Sequence, residues 1–158
     1  MIRFEHPTPG HARIVASTMR VRDVLEVRSG WNMEPEEAIR TAIRNSPREV
    51  CTLFYGLEIL AIFGLAQLAI LGDSAQVWCF GTTAIDRHPF VFARASKRIL
   101  SSLYRHARIL TNIVDASDER ALRWLQFLGA TYVLQPELRG GRLFGQFILA
   151  KEQKCQQG

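Results

Sequence analysis

Two groups of residues in this 158-residue chain have the types and spacing to do chemistry. The first is basic. Arg87, Arg94, Lys97, Arg98, Arg105 and Arg108 crowd one stretch, opposed there only by Asp86. Arg94, Arg98 and Arg105 recur at spacings of four and seven, which on a helix places them on one face. Such a face can contact phosphates, including those of a nucleic acid. It can equally be the solvated side of a helix that buries Phe92, Ala95 and Ile99. No aromatic residue is interleaved with the cations, so stacking on single strands is not expected. The second group is acidic. Asp115 and Asp118 flank Ser117 at a predicted strand-to-helix turn, where they could hold an amine substrate or simply cap the helix.

Other reactive residue types form no such pattern. His6, His11, His88 and His106 lack metal-ligand spacing, and no metal site is expected. Cys51, Cys79 and Cys155 are odd in number and widely spaced, which argues against a disulfide framework and against a structural zinc site and is consistent with a reducing compartment. No serine–histidine–acid or cysteine–histidine set follows from spacing. Trp31, Trp78 and Trp124 read as anchors of a core or an interface.

These residues need elements to position them. Arg13 to Thr18 reads as a short first strand, with a helical start as the alternative. Arg22 to Arg28 reads as a short helix. A clearer helix begins near Pro35: Glu34, Glu36 and Glu37 complement its positive end, Ala38, Ile39, Ala42 and Ile43 share a face, and Asn45-Ser46-Pro47 stops it. Strands are predicted at Val50 to Tyr55, Ile59 to Ala69 and Gln76 to Phe80, joined by short turns and therefore antiparallel. A long helix over Pro89 to Ala107 follows, then a buried strand over Ile109 to Val114. Ser117 is the expected N-cap of the next helix, and Gly129 stands where a left-handed C-terminal cap belongs. Strands at Thr131 to Leu134 and Arg142 to Ala150, with Gly140-Gly141 in the turn between them, complete a mixed α/β order.

Composition agrees with one compact unit over 1–150 and a polar tail over 151–158. Apolar residues make up 47% of the chain and charged residues 22%, inside the globular band, which excludes disorder and low-complexity classes. Lys+Arg 20 against Asp+Glu 15 gives a net charge of +5. Only Lys97, Lys151 and Lys154 are lysines, so Arg dominates, a residue suited to phosphate and carboxylate partners. The N-terminus lacks a signal-peptide core. The most apolar run, Ile59 to Leu71, is too short to span a membrane, and a soluble protein without membrane partners is expected.

The segment Asp118-Glu119-Arg120-Ala121-Leu122-Arg123-Trp124-Leu125-Gln126-Phe127-Leu128-Gly129-Ala130 resembles the second motif of the GNAT acyltransferase superfamily, N-x-x-A-x-x-x-Y-x-x-x-G-F. The element order is similar too. The resemblance implies a GNAT-like β-α-α-β-β-β-α-β-α-β-β fold, with a mostly antiparallel twisted sheet flanked by helices. A narrower resemblance joins Trp78 to Thr83, Asn112 to Ala116, Arg123 to Gly129 and the Pro136…Gly140-Gly141…Phe144…Phe147 ending to a phage GNAT-like family that includes a small internal virion protein.

The superfamily resemblance implies an acetyl-CoA pyrophosphate site between the third core strand and the long helix. There the family has Q/R-x-x-G-x-G/A, whose small residues let main-chain N–H groups reach phosphate. This chain has Gly81-Thr82-Thr83-Ala84-Ile85-Asp86-Arg87, with Gly81, Thr82, Thr83 and Arg87 as the candidate cofactor residues. The tyrosine that protonates the leaving thiolate in many relatives aligns with Leu125, which cannot act as an acid. Tyr104 and Tyr132 are the possible substitutes. Two functions follow. The primary expectation is a phage-type virion, assembly or binding component with a degenerate acyl-CoA site, partnered by other phage proteins in the host cytoplasm or virion. The alternative is an active N-acetyltransferase that moves an acetyl group from acetyl-CoA to an amine. The basic stretch over 87–108 adds nucleic acid as a candidate partner.

Overall fold

A computed structural model describes residues 1–67, 73–133 and 135–152. In chain order the elements are β1 (Ile2–Glu5), α1 (Pro9–Thr18), α2 (Val21–Trp31), α3 (Pro35–Arg44), β2 (Glu49–Tyr55), β3 (Glu58–Gln67), β4 (Ser74–Gly81), α4 (Ala84–Arg87), α5 (Pro89–Leu103), β5 (Ile109–Asp115), α6 (Glu119–Phe127), β6 (Thr131–Tyr132), β7 (Glu137–Arg139) and β8 (Arg142–Ala150).

The strands form one mixed sheet in the order β1-β2-β3-β4-β5-β8-β6, with β7 paired to β8. Every pairing is antiparallel except β4 with β5, which is parallel. One face of the sheet carries α1 and α3, where Val15 and Ile39 meet Ile62, Phe54 and Trp78. The other face carries α5 and α6. Phe92 and Ala95 close over Leu53 and Phe63, while Leu100, Leu103 and Leu125 close over Leu110, Val114 and Leu149. Burial of these apolar side chains on both faces is the main term holding the layers together.

The first predicted strand is corrected. Residues 13–18 lie in α1, and the first strand is β1, a step earlier. Ala12, Val15 and Met19 are buried and spaced by three and four, a helical period. Thr8 caps the helix: its Oγ1 accepts from His11 N at 3.2 Å, and His11 Nδ1 accepts from Thr8 N at 3.3 Å. β1 escaped notice because it is only four residues long: Ile2 and Phe4 alternate with Arg3 and Glu5, but Arg3, Phe4 and Glu5 are all exposed on a sheet edge.

Smaller differences have local causes. The long helix ends at Leu103 rather than Ala107, because the chain leaves the helix at Tyr104. Asp118, not Ser117, is the N-cap of α6, with Oδ1 accepting from Ala121 N at 3.1 Å. The final strand gains a hairpin partner, β7, through a turn at Gly140 and Gly141, whose φ values of +53° and +79° are those that a two-residue turn of this hand demands. Gly129 has φ +93°, as its expected capping place requires. The predicted ends at Ala69 and Leu134 lie outside the described residues, as do residues 153–158 of the tail. Among the described residues no helix is long and apolar enough to cross a membrane.

Candidate active site

The parallel pair at the centre of the sheet does not stay closed. β4 and β5 are in register only at Ser74↔Ile109, Ala75↔Leu110 and Gln76↔Thr111. Beyond that point β4 remains bound to β3 as far as Gly81, and β5 remains bound to β8 as far as Asp115. Each strand is thus held on its outer edge while the inner edges part. Asn112 sits at the fork, donating from Nδ2 to Val77 O at 2.7 Å and accepting at Oδ1 from Ile113 N at 2.7 Å.

A cavity of about 450 Å³ occupies the opening and reaches from α2 to α5 and α6. Its middle is lined by Val77, Cys79, Gly81, Asn112 and Ile113, and Phe92 and Trp124 wall the α5–α6 end. The Phe92 and Trp124 rings lie 5.4 Å apart, and Trp124 Nε1 is fixed by Ser96 Oγ at 3.1 Å. Because Val77 turns its carbonyl to the β5 side, the two-residue alternation of a strand turns the main chain of Cys79 and Gly81 the same way. The Cys79 thiol is pushed up to about 12, first by burial and then by Asp23, so it holds no thiolate at neutral pH.

The four candidate cofactor residues stand at the mouth beside α4. Gly81 ends β4, and a Cβ there would lie 2.6 Å from Ile85 Cδ1, so its smallness lets α4 close on the strand. Thr82 is buried; its N–H donates to Leu60 O at 3.0 Å and its hydroxyl to Ile59 O at 2.7 Å. Thr83 N donates to Thr18 O at 2.9 Å. The N–H groups of Ala84, Ile85 and Asp86 are bound to Thr82 and Thr83 oxygens. The main-chain N–H groups of residues 82–86 and the Thr82 hydroxyl are therefore engaged within the protein, while the Thr83 side chain is exposed. Arg87 pairs with Glu58, whose carboxyl is held below its usual range by hydrogen bonds from Arg87 and His88. The Arg87 side chain nevertheless stays more than half exposed, and Asp86 is neutralised by Arg120. The next helix, α5, starts at Pro89 without a side-chain cap, leaving the N–H groups of Phe90 and Val91 without intrahelical acceptors.

At the α2 end the cavity wall is acidic. Asp23 and Glu26, one turn apart on α2, meet Asp118 at the start of α6, each offering an oxygen within 4.8 Å of the others. Three neighbouring aspartates have arginine partners. Arg20 holds Asp23 by two hydrogen bonds of 2.8 and 3.0 Å, Arg142 Nε donates to Asp115 Oδ2 at 2.9 Å, and Arg22 Nε stands 3.7 Å from Asp118 Oδ2. Glu26 has no ion-pair partner among the described residues. Burial, then Asp23 and Asp118, push its carboxyl up to about 7, offset in part by the Asp115 main-chain N–H. Burial also raises Asp23 despite Arg20. Asp115 goes the other way: burial acts to raise it, but the Ser117 N–H and hydroxyl together with Arg142 hold it below its ordinary value.

Sequence reasoning found Asp115 and Asp118, and their capping roles are present: Asp118 caps α6, and Asp115 binds Ser117 N at 2.9 Å and Oγ at 2.7 Å. It missed Asp23 and Glu26. Their only signal was a spacing of three on a short helix, which any solvated face shows. Leu125, at the tyrosine position, is buried in the apolar cluster beneath α6. Among the described residues neither Tyr104 nor Tyr132 lines the cavity, and the Tyr132 hydroxyl donates to Leu122 O at 3.2 Å. On α5, Arg94, Lys97 and Arg98 are exposed opposite buried Phe92, Ala95 and Leu100, and Lys97 Nζ lies 4.3 Å from the centre of the Phe127 ring.

This architecture, a mostly antiparallel sheet with a splayed parallel pair and helices on both faces, is the GNAT acetyltransferase fold. The chain is similar to the ribosomal-protein-S18-alanine N-acetyltransferase from Escherichia coli, at 15% identity over 99% of this chain and 98% of that one, with a TM-score of 0.62. It is similar to Ard1 from Thermoplasma volcanium, at 10% identity over 96% and 99% of the two chains, with a TM-score of 0.71. It is also similar to the spermidine N-acetyltransferase from Vibrio cholerae, solved with CoA and spermine, at 12% identity over 94% and 95%, with a TM-score of 0.62. No protein-family model and no curated protein matches the sequence. At these identities the likeness establishes the fold.

Proposed function

We propose that this chain is an N-acyltransferase that takes an acetyl group from acetyl-CoA and passes it to an amine. The observation that carries this reading is the opened β4–β5 pair, with a cavity that passes between the two faces of the sheet. An extended arm bearing amide groups can pair with the released edge of β4, where the main chain of Cys79 and Gly81 faces the opening. The four mouth residues then divide. Gly81 borders the arm and Arg87 supplies the exposed positive charge, whereas Thr82 shapes the turn with both donors engaged, and Thr83, its N–H bound to Thr18 O, has only its exposed hydroxyl to offer. The uncapped N–H groups of Phe90 and Val91, on the positive end of α5, sit next to Arg87 in sequence and complete an anion-binding corner.

The cofactor supplies an activated thioester whose sulfur leaves readily, since an ordinary thiol has a pKa of about 8.5. A leaving group of that kind can take its proton from water, so Leu125 in place of tyrosine is compatible with turnover. The protein's part is to hold the two reactants in line and to exclude bulk water from the cleft.

The virion or assembly role, expected first from the sequence, draws on the same two departures, the engaged turn and Leu125. It finds no support among the similar proteins, and neither do phage or nucleic-acid partners, so the acyltransferase reading replaces it. The test is a thermal melt with acetyl-CoA. Saturation at about 100 times the dissociation constant adds about 2.7 kcal/mol to a protein whose folded state alone binds the ligand. A melting temperature unmoved by millimolar acetyl-CoA overturns the proposal.

A further inference from the structure

The two faces of the opened sheet meet the cavity with different chemistry. Along β4 the side chains alternate: Val77 and Cys79 pack on the α5–α6 side, Trp78 and Phe80 on the α1–α3 side. On that second side the cavity is walled by Trp78, Phe80, Met33, Ala38 and Ala42. What α3 turns toward the space is uncharged throughout. Thr41 and Asn45 join its two alanines in the lining, while Glu36, Glu37, Arg40 and Arg44 stay out of it. The acidic groups Asp23, Glu26 and Asp118 stand instead on α2 and at the start of α6.

This apolar wall is preformed. Trp78 Nε1 donates to buried Ser46 Oγ at 2.8 Å, and Gly64 lets the indole lie against β3, since a Cβ there would stand 2.6 Å from Trp78 Cζ2. The Phe80 ring lies 5.5 Å from the Trp78 ring and is only half-buried, as are Met33 and Ala42. Ala38 and Ala42, one turn apart on α3, leave room in front of the two rings. Apolar surface is thus held open in a fixed shape beside the strand gap, and a hydrocarbon is the guest that gains most by covering it.

We infer that this wall is an acyl-chain subsite and that the donor it fits best carries a straight-chain acyl group longer than acetyl, such as butyryl or hexanoyl. This rests on the acyltransferase reading above. An arm paired to β4 at Cys79 and Gly81 ends beside Phe80, the residue between them, whose side chain packs on the α3 side of the sheet. Each further methylene buried against the wall gains about fourfold in affinity, the equivalent of ~0.8 kcal/mol. An apolar side chain on the acceptor is the competing occupant. The acyl chain fits better because Trp78 and Phe80 belong to the strand that holds the arm, so the donor alone completes the contact.

The test is calorimetric titration of the full chain, with no amine present, against acetyl-CoA, butyryl-CoA and hexanoyl-CoA. Affinity is expected to rise in that order, hexanoyl-CoA binding about tenfold or more tightly than acetyl-CoA. In Ala42→Leu, which fills the space, the ratio of hexanoyl-CoA to acetyl-CoA affinity should fall towards one. Met33→Ala, which removes part of the wall, should lower the same ratio. Circular dichroism checks that each variant folds, and the wild-type series decides the chain-length preference without them. Equal affinity for the three thioesters overturns the subsite and leaves the wall to the acceptor. A preference that both folded variants keep overturns it as well. The two proposals fail differently. A protein that binds none of the thioesters sinks the acyltransferase reading and the subsite with it, whereas one that binds all three alike sinks the subsite alone.

Discussion

Asn112 Nδ2 donates to the main-chain carbonyl of Val77 at 2.7 Å, where β5 turns away from β4. A side-chain amide thus replaces the next rung of the parallel ladder and satisfies a carbonyl that the splay would otherwise leave unpaired. Asn112→Ala removes that donor and the acceptor for Ile113 N in a half-buried place. The expected cost is about 1–3 kcal/mol. Urea unfolding checks it, and a loss well under 1 kcal/mol would mean that the fork is held by the outer strands alone.

Glu26 makes stability depend on pH. Its folded carboxyl is raised to about 7, so the folded state binds a proton that the unfolded state has released, and ionising Glu26 works against the fold. The groups around it are Asp23, Arg20 and Arg22 near α2, Asp115 on β5, Asp118 at α6 and Arg142 on β8. Stability should fall as pH rises from about 4.5 to about 7, at up to ~1.4 kcal/mol per unit. In Glu26→Gln that slope should flatten, so the variant gains over wild type at pH 8 and little at pH 5. Parallel slopes in chemical denaturation would refute the assignment.

Asp115 acts with the opposite sign. Its folded carboxyl lies below the unfolded value, so its contribution is present above about pH 4 and is lost as pH falls through the folded value. Arg142→Gln leaves a carboxylate that is 2% exposed without its cation. We expect a loss of about 3 kcal/mol at pH 7 that shrinks at pH 3, measured by thermal melts at both values.

Arg87→Ala probes the mouth of the cleft. Glu58 and Arg87 are both well exposed, so folding should change little. The rise in melting temperature produced by acetyl-CoA should shrink clearly. An unchanged rise would place the cofactor phosphates elsewhere.

Gly64→Ala tests the tryptophan seat. A Cβ there would lie 2.6 Å from Trp78 Cζ2 and 2.8 Å from Glu49 O, against main chain that cannot give way. The cost should be about 1–3 kcal/mol, read from the melting temperature, and Trp78 fluorescence should shift as its bond to buried Ser46, 2.8 Å long, is disturbed.

The amino-acid sequence by itself determined the central strands, the Pro35 and Pro89 helix starts, the Gly129 cap and the overall α/β order, because each rests on local periodicity or turn chemistry. It also marked Asp115 and Asp118, since helix capping is a short-range rule. Only the tertiary structure decided what the site is. β1 is an edge strand of only four residues, Ile2-Arg3-Phe4-Glu5, too short for its alternation to mark it, so its place comes from pairing with β2. Arg87 reads as a free cation in sequence until folding brings Glu58, 29 residues away, against it. Asp23 and Glu26 look like an ordinary solvated helix face. They become a partly unneutralised acidic corner only when α2 is laid beside the start of α6, because burial and mutual charge are properties of neighbours in space and leave no trace in spacing along the chain.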